Sequence, residues 1–320
     1  MANRGVPIYL ITGFLESGKT SFIKDLLNDE GFTDGERTLL ICCEEGIEEY
    51  EEELLRKSNT VLINVESQEE FGKNLLPDLE KQYRPERVLI EYNSVWSMKH
   101  LGTVKKPKHW ELYQVVDLVD ASTFDLYLNN MRQMMTDGMQ KADLVLFNRC
   151  TAETRKSAYR RMVRAMNAAT EILFENMDGT TEDGVSDEDL PYDLKAATVK
   201  IHDDQFGIFY LDAMEHPERY DGKIVCMKGK AFDFDGLPNA CYVFGRHAMT
   251  CCADDISGIG FVCKAGDAKD IPGGSQWIEI TAKVQKGYSL LHKRDAIILI
   301  QQKIKLAKAP EEELVTFTNI

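Results

Sequence analysis

Short apolar runs alternate with amphipathic stretches along the first half of the chain. Pro7–Thr12 is an apolar run that ends in glycine and reads as a buried strand. Over Ser21–Leu27, the apolar residues Phe22, Ile23, Leu26 and Leu27 recur at helical spacing. Thr38–Cys43, Val61–Val65, Arg87–Tyr92, Tyr113–Val119 and Leu144–Phe147 give further strands, and helical patterns over Gln68–Gln82 and Glu153–Ala168 separate several of them. Strands alternating with helices predict an α/β domain, a parallel sheet with helices on both faces.

The pattern changes after Phe174. Asn176–Leu194 is rich in Asp, Glu, Gly, Ser and Thr and reads as a linker or loop. Beyond it the chain turns to strands: Ile224–Phe234, Cys241–Thr250, Gly258–Lys264, Trp277–Gln285 and Ala296–Lys305. Five strands with Gly- and Pro-bearing turns in so short a span suit a small all-β barrel of the oligonucleotide/oligosaccharide-binding (OB) type. The expected division is an α/β domain over 1–176, an acidic linker over 177–195 and the barrel over 196–320.

Charge sharpens this division. The net charge of the 320 residues is −15. From Asp221 onward 13 Lys and Arg stand against 12 Asp and Glu, so residues 1–220 carry a net −16. An N-terminal part this acidic repels nucleic acid, and the near-neutral barrel offers no basic stripe, so nucleic acid is not an expected partner. No apolar run approaches the ~20 residues of a membrane helix, so no membrane span is expected. The start of the chain has no signal-peptide core, and the expected compartment is the cytoplasm. There the eight cysteines read as thiols or metal ligands rather than disulfides.

The richest chemistry lies at Gly13-Phe14-Leu15-Glu16-Ser17-Gly18-Lys19-Thr20, which matches G-x-x-x-x-G-K-[ST] between a predicted strand and a predicted helix. The glycines let backbone N–H groups turn inward around phosphate oxygens, and the following helix points its positive end at them. Lys19 is expected on the β- and γ-phosphates and Thr20 on Mg²⁺. Gly13, Glu16, Ser17, Gly18 and Ser21 complete the expected phosphate site. Glu91 ends an apolar strand run and is expected at the carboxyl edge of the sheet, as a magnesium or water-orienting carboxylate. Lys19, Thr20 and Glu91 are thus the candidate catalytic residues. Asn148 and Arg149 stand where guanine-specific GTPases carry Asn-Lys-x-Asp, but Thr151 replaces the aspartate. GTP is therefore the favoured nucleotide, with ATP as the alternative that Thr151 leaves open.

Together these residues resemble the CobW-type (CobW/HypB/UreG) branch of the P-loop GTPases, over about Pro7–Phe174. The match includes Glu44-Glu45-Gly46, Ile90-Glu91, Val119-Asp120-Ala121, Gln140 with Ala142-Asp143, and Asn148 with Met166-Asn167-Ala168. The resemblance implies a GTPase with low intrinsic turnover, coupled to metal homeostasis or metal transfer, whose partner is a metal-receiving client. The family's metal-binding Cys-x-Cys-Cys would fall near Val61–Val65, which holds no cysteine, so that site does not carry over. Cys42 and Cys43 are either buried strand residues or a thiol pair near the nucleotide.

Gly245–Asp255 offers other thiols. Cys251 and Cys252 with His247 and Cys263 form a candidate zinc set, and Cys241 lies on a neighbouring predicted strand. A turn at Thr250–Cys252 would be needed to bring them together, and buried apolar cysteines are the alternative. Thr198–Phe317 also resembles the C-terminal domain of small proteins that accompany permeases of the YraQ/ArsP type. The shared residues are Glu218–Lys223, Lys228-Gly229, Arg246, Met249, Cys251-Cys252 and Asp255. This resemblance implies a second expectation: a nucleotide-switched binding module that acts with a permease or other partner and hydrolyses little.

Overall fold

The computed structural model describes residues 5–44, 48–93, 95–184, 190–249, 256–274 and 276–317. The chain divides into two compact units, Met1–Lys156 with Met166–Gly184, and Ser157–Ala165 with Val185–Ile320.

The first unit is built on one sheet. In chain order its elements are β1 (Val6–Gly13), α1 (Lys19–Asn28), α2 (Glu30–Thr33), β2 (Thr38–Cys42), α3 (Glu52–Lys57), β3 (Thr60–Asn64), α4 (Leu75–Tyr83), β4 (Arg87–Glu91), α5 (Met98–Leu101), β5 (Trp110–Asp120), α6 (Phe124–Met139), β6 (Leu144–Cys150), α7 (Lys156–Met166), β7 (Glu171–Asn176) and β8 (Thr181–Glu182). Residues 157–165 of α7 group with the second unit. The strand order is β3-β2-β4-β1-β5-β6-β7-β8. The first seven strands run parallel, and β8 returns antiparallel on β7. This is the parallel α/β sheet the hydrophobic pattern predicts. Ile11, Leu40, Leu89, Val116, Leu118 and Leu146 from five strands pack with Ile23 and Leu27 of α1 in one core. The chain crosses the sheet in one direction from β1 and in the other from β5. Ligands of open α/β sheets bind at the carboxyl ends of strands at such a reversal.

Two helices start later than the periodicity predicts. The expected helix over 68–82 begins at Leu75, which places Pro77 in its first turn, where a missing N–H costs no bond. The helix expected from Glu153 begins at Lys156.

The second unit contains β9 (Val199–Lys200), α8 (Phe206–Glu215), β10 (Ile224–Phe232), β11 (Cys241–Met249), β12 (Ile256–Lys264), β13 (Ile278–Ser289), β14 (Arg294–Leu306) and β15 (Val315–Thr316). The five long strands pair in the cycle β10-β11-β12-β14-β13-β10, so the sheet closes on itself. Within this cycle the β12–β14 seam is parallel and the other four pairings are antiparallel. Phe244, Phe261, Ile280, Val284 and Leu299 fill the interior, and Phe206 and Phe209 of α8 belong to the same core. Helix α8 is absent from the strand pattern read above. Its sequence, FGIFYLDAME, is apolar nearly all round and leaves no amphipathic signature. Among the described residues no helix is long and apolar enough to cross a membrane.

Candidate nucleotide site

At the end of β1 the chain makes the turn that the glycine spacing predicts. Gly13 has φ +138°, and a Cβ there would overlap the Leu118 carbonyl oxygen of β5. Gly18, with φ +92°, caps α1 without any side-chain hydrogen bond. The first N–H groups of α1 therefore remain available to an anion. Glu16, between the glycines, is also left-handed at φ +60°. Such strain in a non-glycine residue persists where surrounding structure holds it. Here its carbonyl accepts a hydrogen bond from Arg149 at 3.0 Å.

Lys19 is 3% exposed, and its Nζ donates to Gly13 O at 2.9 Å and Phe14 O at 3.1 Å. It also pairs with Glu44 at 2.6 Å. Thr20 Oγ1 donates to Glu91 Oε1 at 2.7 Å. The other oxygen of Glu91 accepts from Tyr50 Oη at 2.6 Å and from Cys42 Sγ at 3.3 Å. Burial, and then the charge of Glu91, push the Cys42 thiol up to about 12. Cys43 is buried and pushed up as well. Both thiols stay protonated at neutral pH.

On the base side, Asn148 Nδ2 donates to Ser17 O at 2.7 Å. Arg149, left-handed at φ +53°, forms an ion pair with Asp120. Burial draws the Asp120 carboxyl upward, but hydrogen bonds from Ser122 and Arg149 outweigh it and hold it low. The Thr151 hydroxyl accepts from Glu153 N at 3.3 Å. Leu15–Ser21, Glu44, Glu48, Glu91, Asp120, Thr123, Tyr127 and Arg149 line one cleft of about 610 Å³. The structure thus brings Glu16, Ser17, Gly18, Lys19, Thr20, Ser21, Glu91 and Arg149 together, with Gly13 and Asn148 beside them.

Two buried polar atoms here, Ser17 Oγ and Asn148 Oδ1, have no partner among the described residues. Buried polar atoms are seldom left so. The unsatisfied Ser17 hydroxyl, an uncapped helix start and a loop that excludes Cβ atoms fit a bound phosphate, whereas Asn148 Oδ1 can only accept and suits an N–H donor. Thr20 and Glu91 supply the hard oxygen ligands that Mg²⁺ takes.

One residue of this region escaped the sequence reading. Asp117 lies in the middle of β5, fully buried, and accepts from Thr12 Oγ1 at 2.6 Å. Burial raises its carboxyl to about 7, against the Thr12 hydrogen bond and the Lys19 charge. A cavity of about 210 Å³ adjoins it, lined in part by Asp137, Asn93 and Gln133. A lone acid within Val115-Val116-Asp117-Leu118-Val119 was the available signal.

Of the candidate zinc residues, the structure describes His247 and Cys263 and does not bring these two together. Cys251 and Cys252 lie outside the described residues, as do Thr250, Asp255, Glu45 and Gly46. His247 is exposed and packs edge-on against Phe232 at 5.2 Å. Cys263 is fully buried in the barrel core, opposite Tyr242, and burial pushes it up to about 12. Along β11, Tyr242, Phe244 and Ala248 point into the core, so His247 points out. His247 and Cys263 are therefore on opposite faces of the sheet and cannot share an ion. Cys241, paired with Lys264, also faces away from Cys263. Among the described residues no group of three or more His, Cys, Asp and Glu side chains forms a metal site.

Two family models match the chain. Residues 7–174 match the model of the CobW/HypB/UreG nucleotide-binding domain. Residues 177–316 match the DUF1980 C-terminal domain. No curated protein sequence matches the chain. Among solved structures, zinc-bound YjiA GTPase from E. coli is similar at 18% identity, over 80% of this chain and 89% of that one, with a TM-score of 0.41. Hydrogenase maturation factor HypB from Archaeoglobus fulgidus is similar at 14% identity, over 55% and 83%, with a TM-score of 0.38. The mitochondrial single-stranded DNA-binding protein Rim1 from S. cerevisiae is similar at 11% identity, over 28% and 97%, with a TM-score of 0.19.

Proposed function

The chain belongs to the CobW/HypB/UreG nucleotide-binding family, and on that premise we propose that it is a magnesium-dependent nucleoside triphosphatase, GTP favoured, that couples turnover to metal transfer. The observation that carries the proposal is the joint placement of Lys19 and Thr20 at the uncapped start of α1, with Glu91 2.7 Å from the Thr20 hydroxyl. Lys19 binds the β- and γ-phosphates, and the N–H groups of Glu16–Ser21 wrap them. Thr20 and Glu91 would hold Mg²⁺, which would supply neutralisation of charge developing on the phosphate oxygens. Glu91, its second oxygen fixed by Tyr50, orients the attacking water.

Asn148 and Arg149 carry base recognition. Asn148 is braced against the phosphate loop through Ser17, and its free Oδ1 is a hydrogen-bonding group for the base. Thr151 in place of aspartate weakens discrimination, so ATP is the competing nucleotide. The metal coupling rests on the family and on Cys251, Cys252 and His247 as candidate zinc ligands, with a metal-receiving client protein as partner. The barrel is proposed to be of the OB type.

The test is phosphate release with Mg²⁺ and GTP or ATP, with and without zinc, beside metal analysis. Turnover that falls at least tenfold in Lys19→Ala, and zinc lost in Cys251→Ser/Cys252→Ser, are expected. Equal turnover in Lys19→Ala sinks the hydrolase claim, and a metal-free wild type under zinc-replete conditions sinks the coupling.

One observation favours a second reading. Lys19 and Arg149 are the only cations among the described residues lining the cleft, and Arg149 is engaged by Asp120. Little positive charge is then left to stabilise a transition state. On this reading the protein is a nucleotide-switched module that docks a permease or other partner. Nucleotide-dependent capture of such a partner without turnover would favour it.

A further inference from the structure

A carboxylate already holds the phosphate-binding lysine. Glu44 follows β2 and reaches Lys19 Nζ at 2.6 Å, with the two side chains 9% and 3% exposed. An ammonium group has three donors. Those of Lys19 go to Gly13 O, Phe14 O and Glu44. A β- or γ-phosphate oxygen needs one of them, and the two carbonyls belong to the loop itself. The Glu44 contact is therefore the one a phosphate replaces. The phosphate also adds negative charge to a cleft that Glu44, Glu48, Glu91 and Asp120 already line.

Described residues that follow Glu44 strengthen its hold. Glu48 accepts from Ser21 Oγ at 3.1 Å, Glu51 pairs with Lys24 at 3.0 Å, and Tyr50 bonds Glu91. All three contacts reach α1 or the magnesium ligand set, so the chain carrying Glu44 is anchored on the far side of the site as well.

We propose that Glu44 sets the affinity of the nucleotide site: its carboxylate occupies the place of a phosphate oxygen on Lys19, and the triphosphate must displace it. This inference rests on the nucleotide-binding reading above. It gives the site a built-in competitor with the same sign of charge as its ligand. Affinity for the triphosphate is then the difference between two Lys19–anion contacts rather than the worth of one. A bare nucleoside, which does not reach Lys19, does not compete with Glu44.

The test measures the Kd of a non-hydrolysable GTP analogue, and of guanosine, with Mg²⁺ present. In Glu44→Gln the analogue binds at least tenfold tighter than in wild type, and guanosine binds within twofold of wild type. Glu48→Gln removes a carboxylate from the same cleft that pairs with Ser21 and Lys24 instead, and it tightens the analogue less than threefold. Glu44→Asp, one methylene shorter, gives an intermediate rise and serves where the glutamine variant fails to fold. An analogue affinity within twofold of wild type in both Glu44 variants overturns the proposal. So does an equal gain in Glu48→Gln, which would mark general relief of negative charge. Failure of wild type to bind any triphosphate would instead remove the nucleotide-binding reading, and this inference with it.

Discussion

Asp117 makes the stability of the first unit depend on pH in a direction opposite to that of most carboxylates. Its carboxyl is raised by burial to about 7, while an exposed aspartate titrates near 4. A group raised in the folded state adds stability below its unfolded pKa, and that stability is lost as pH rises toward the folded value. Each pH step across that window costs about 1.4 kcal/mol, so full ionisation costs roughly 4 kcal/mol. Thr12, Lys19 and Asp137 are the groups that act on it, and of these only Asp137 adds to the rise. Asp117→Asn keeps an acceptor for the Thr12 hydroxyl and removes the charge. The assay is urea unfolding of wild type and Asp117→Asn from pH 5.5 to 8.5, following the transition of the first unit. The variant should gain on wild type by about 2 kcal/mol between pH 5.5 and 7, and the gap should then flatten. Taking the difference cancels every other titrating group that the two proteins share. A gap constant across the range, or one that narrows with pH, would refute the assignment of a raised carboxyl to Asp117.

Gly13→Ala places a Cβ on the Leu118 carbonyl at a backbone angle that side chains avoid, so it should abolish triphosphate binding and destabilise the first unit by about 3 kcal/mol in urea unfolding. Arg246 is 2% exposed, donates to Lys228 O, Asp203 O and Asp203 Oδ1, and lies over the rings of Phe206 and Trp277. Arg246→Ala leaves those acceptors unpaired and should cost the second unit about 3 kcal/mol, read as a lower Tm of that unit with nucleotide binding unchanged.

The parts legible in the sequence are those whose signal is local. Six parallel strands of the first unit were marked by short apolar runs, and their ends moved by few residues, except that β5 starts at Trp110 rather than Tyr113. The five barrel strands were marked likewise, with β13 running on to Ser289. The phosphate loop was fixed by glycines whose backbone angles nothing else can adopt comfortably. What escaped was set by tertiary burial. Helix α8 buries most of its residues in the barrel core and leaves little polar face, so periodicity could not separate it from a strand. Within the candidate zinc set, the pairing of His247 with Cys263 misled for a related reason. Spacing brought His247 and Cys263 onto neighbouring strands, but only the register shows which face of the sheet each takes. Asp117 and Glu44 were legible as acids and not as partners, since each acquires its meaning from a residue far away in the chain.

Those distant partners also govern what binding must do. Within the cleft Lys19 is held by Glu44, Thr20 by Glu91 and Arg149 by Asp120. Of the buried polar atoms beside them, only Ser17 Oγ and Asn148 Oδ1 lack a described partner. An incoming nucleotide therefore meets the side chains of the cleft mostly by exchanging old contacts, and new ones come chiefly from the free N–H groups at the start of α1. An exchanged hydrogen bond contributes about 1 kcal/mol or less, whereas relieving or adding an unpaired charge in a buried site contributes several. The charge of the ligand, and the cations that accompany it, thus decide affinity more than its shape. Each exchange also frees a carboxylate: Glu44 from Lys19, and one oxygen of Glu91 from Thr20. The Cys42 thiol donates to the backbone carbonyl of Glu44 and to the carboxylate of Glu91. Displacing Glu44 from Lys19 therefore moves an acid whose own backbone is tied to a sulfur, on the same side of the cleft as Glu91.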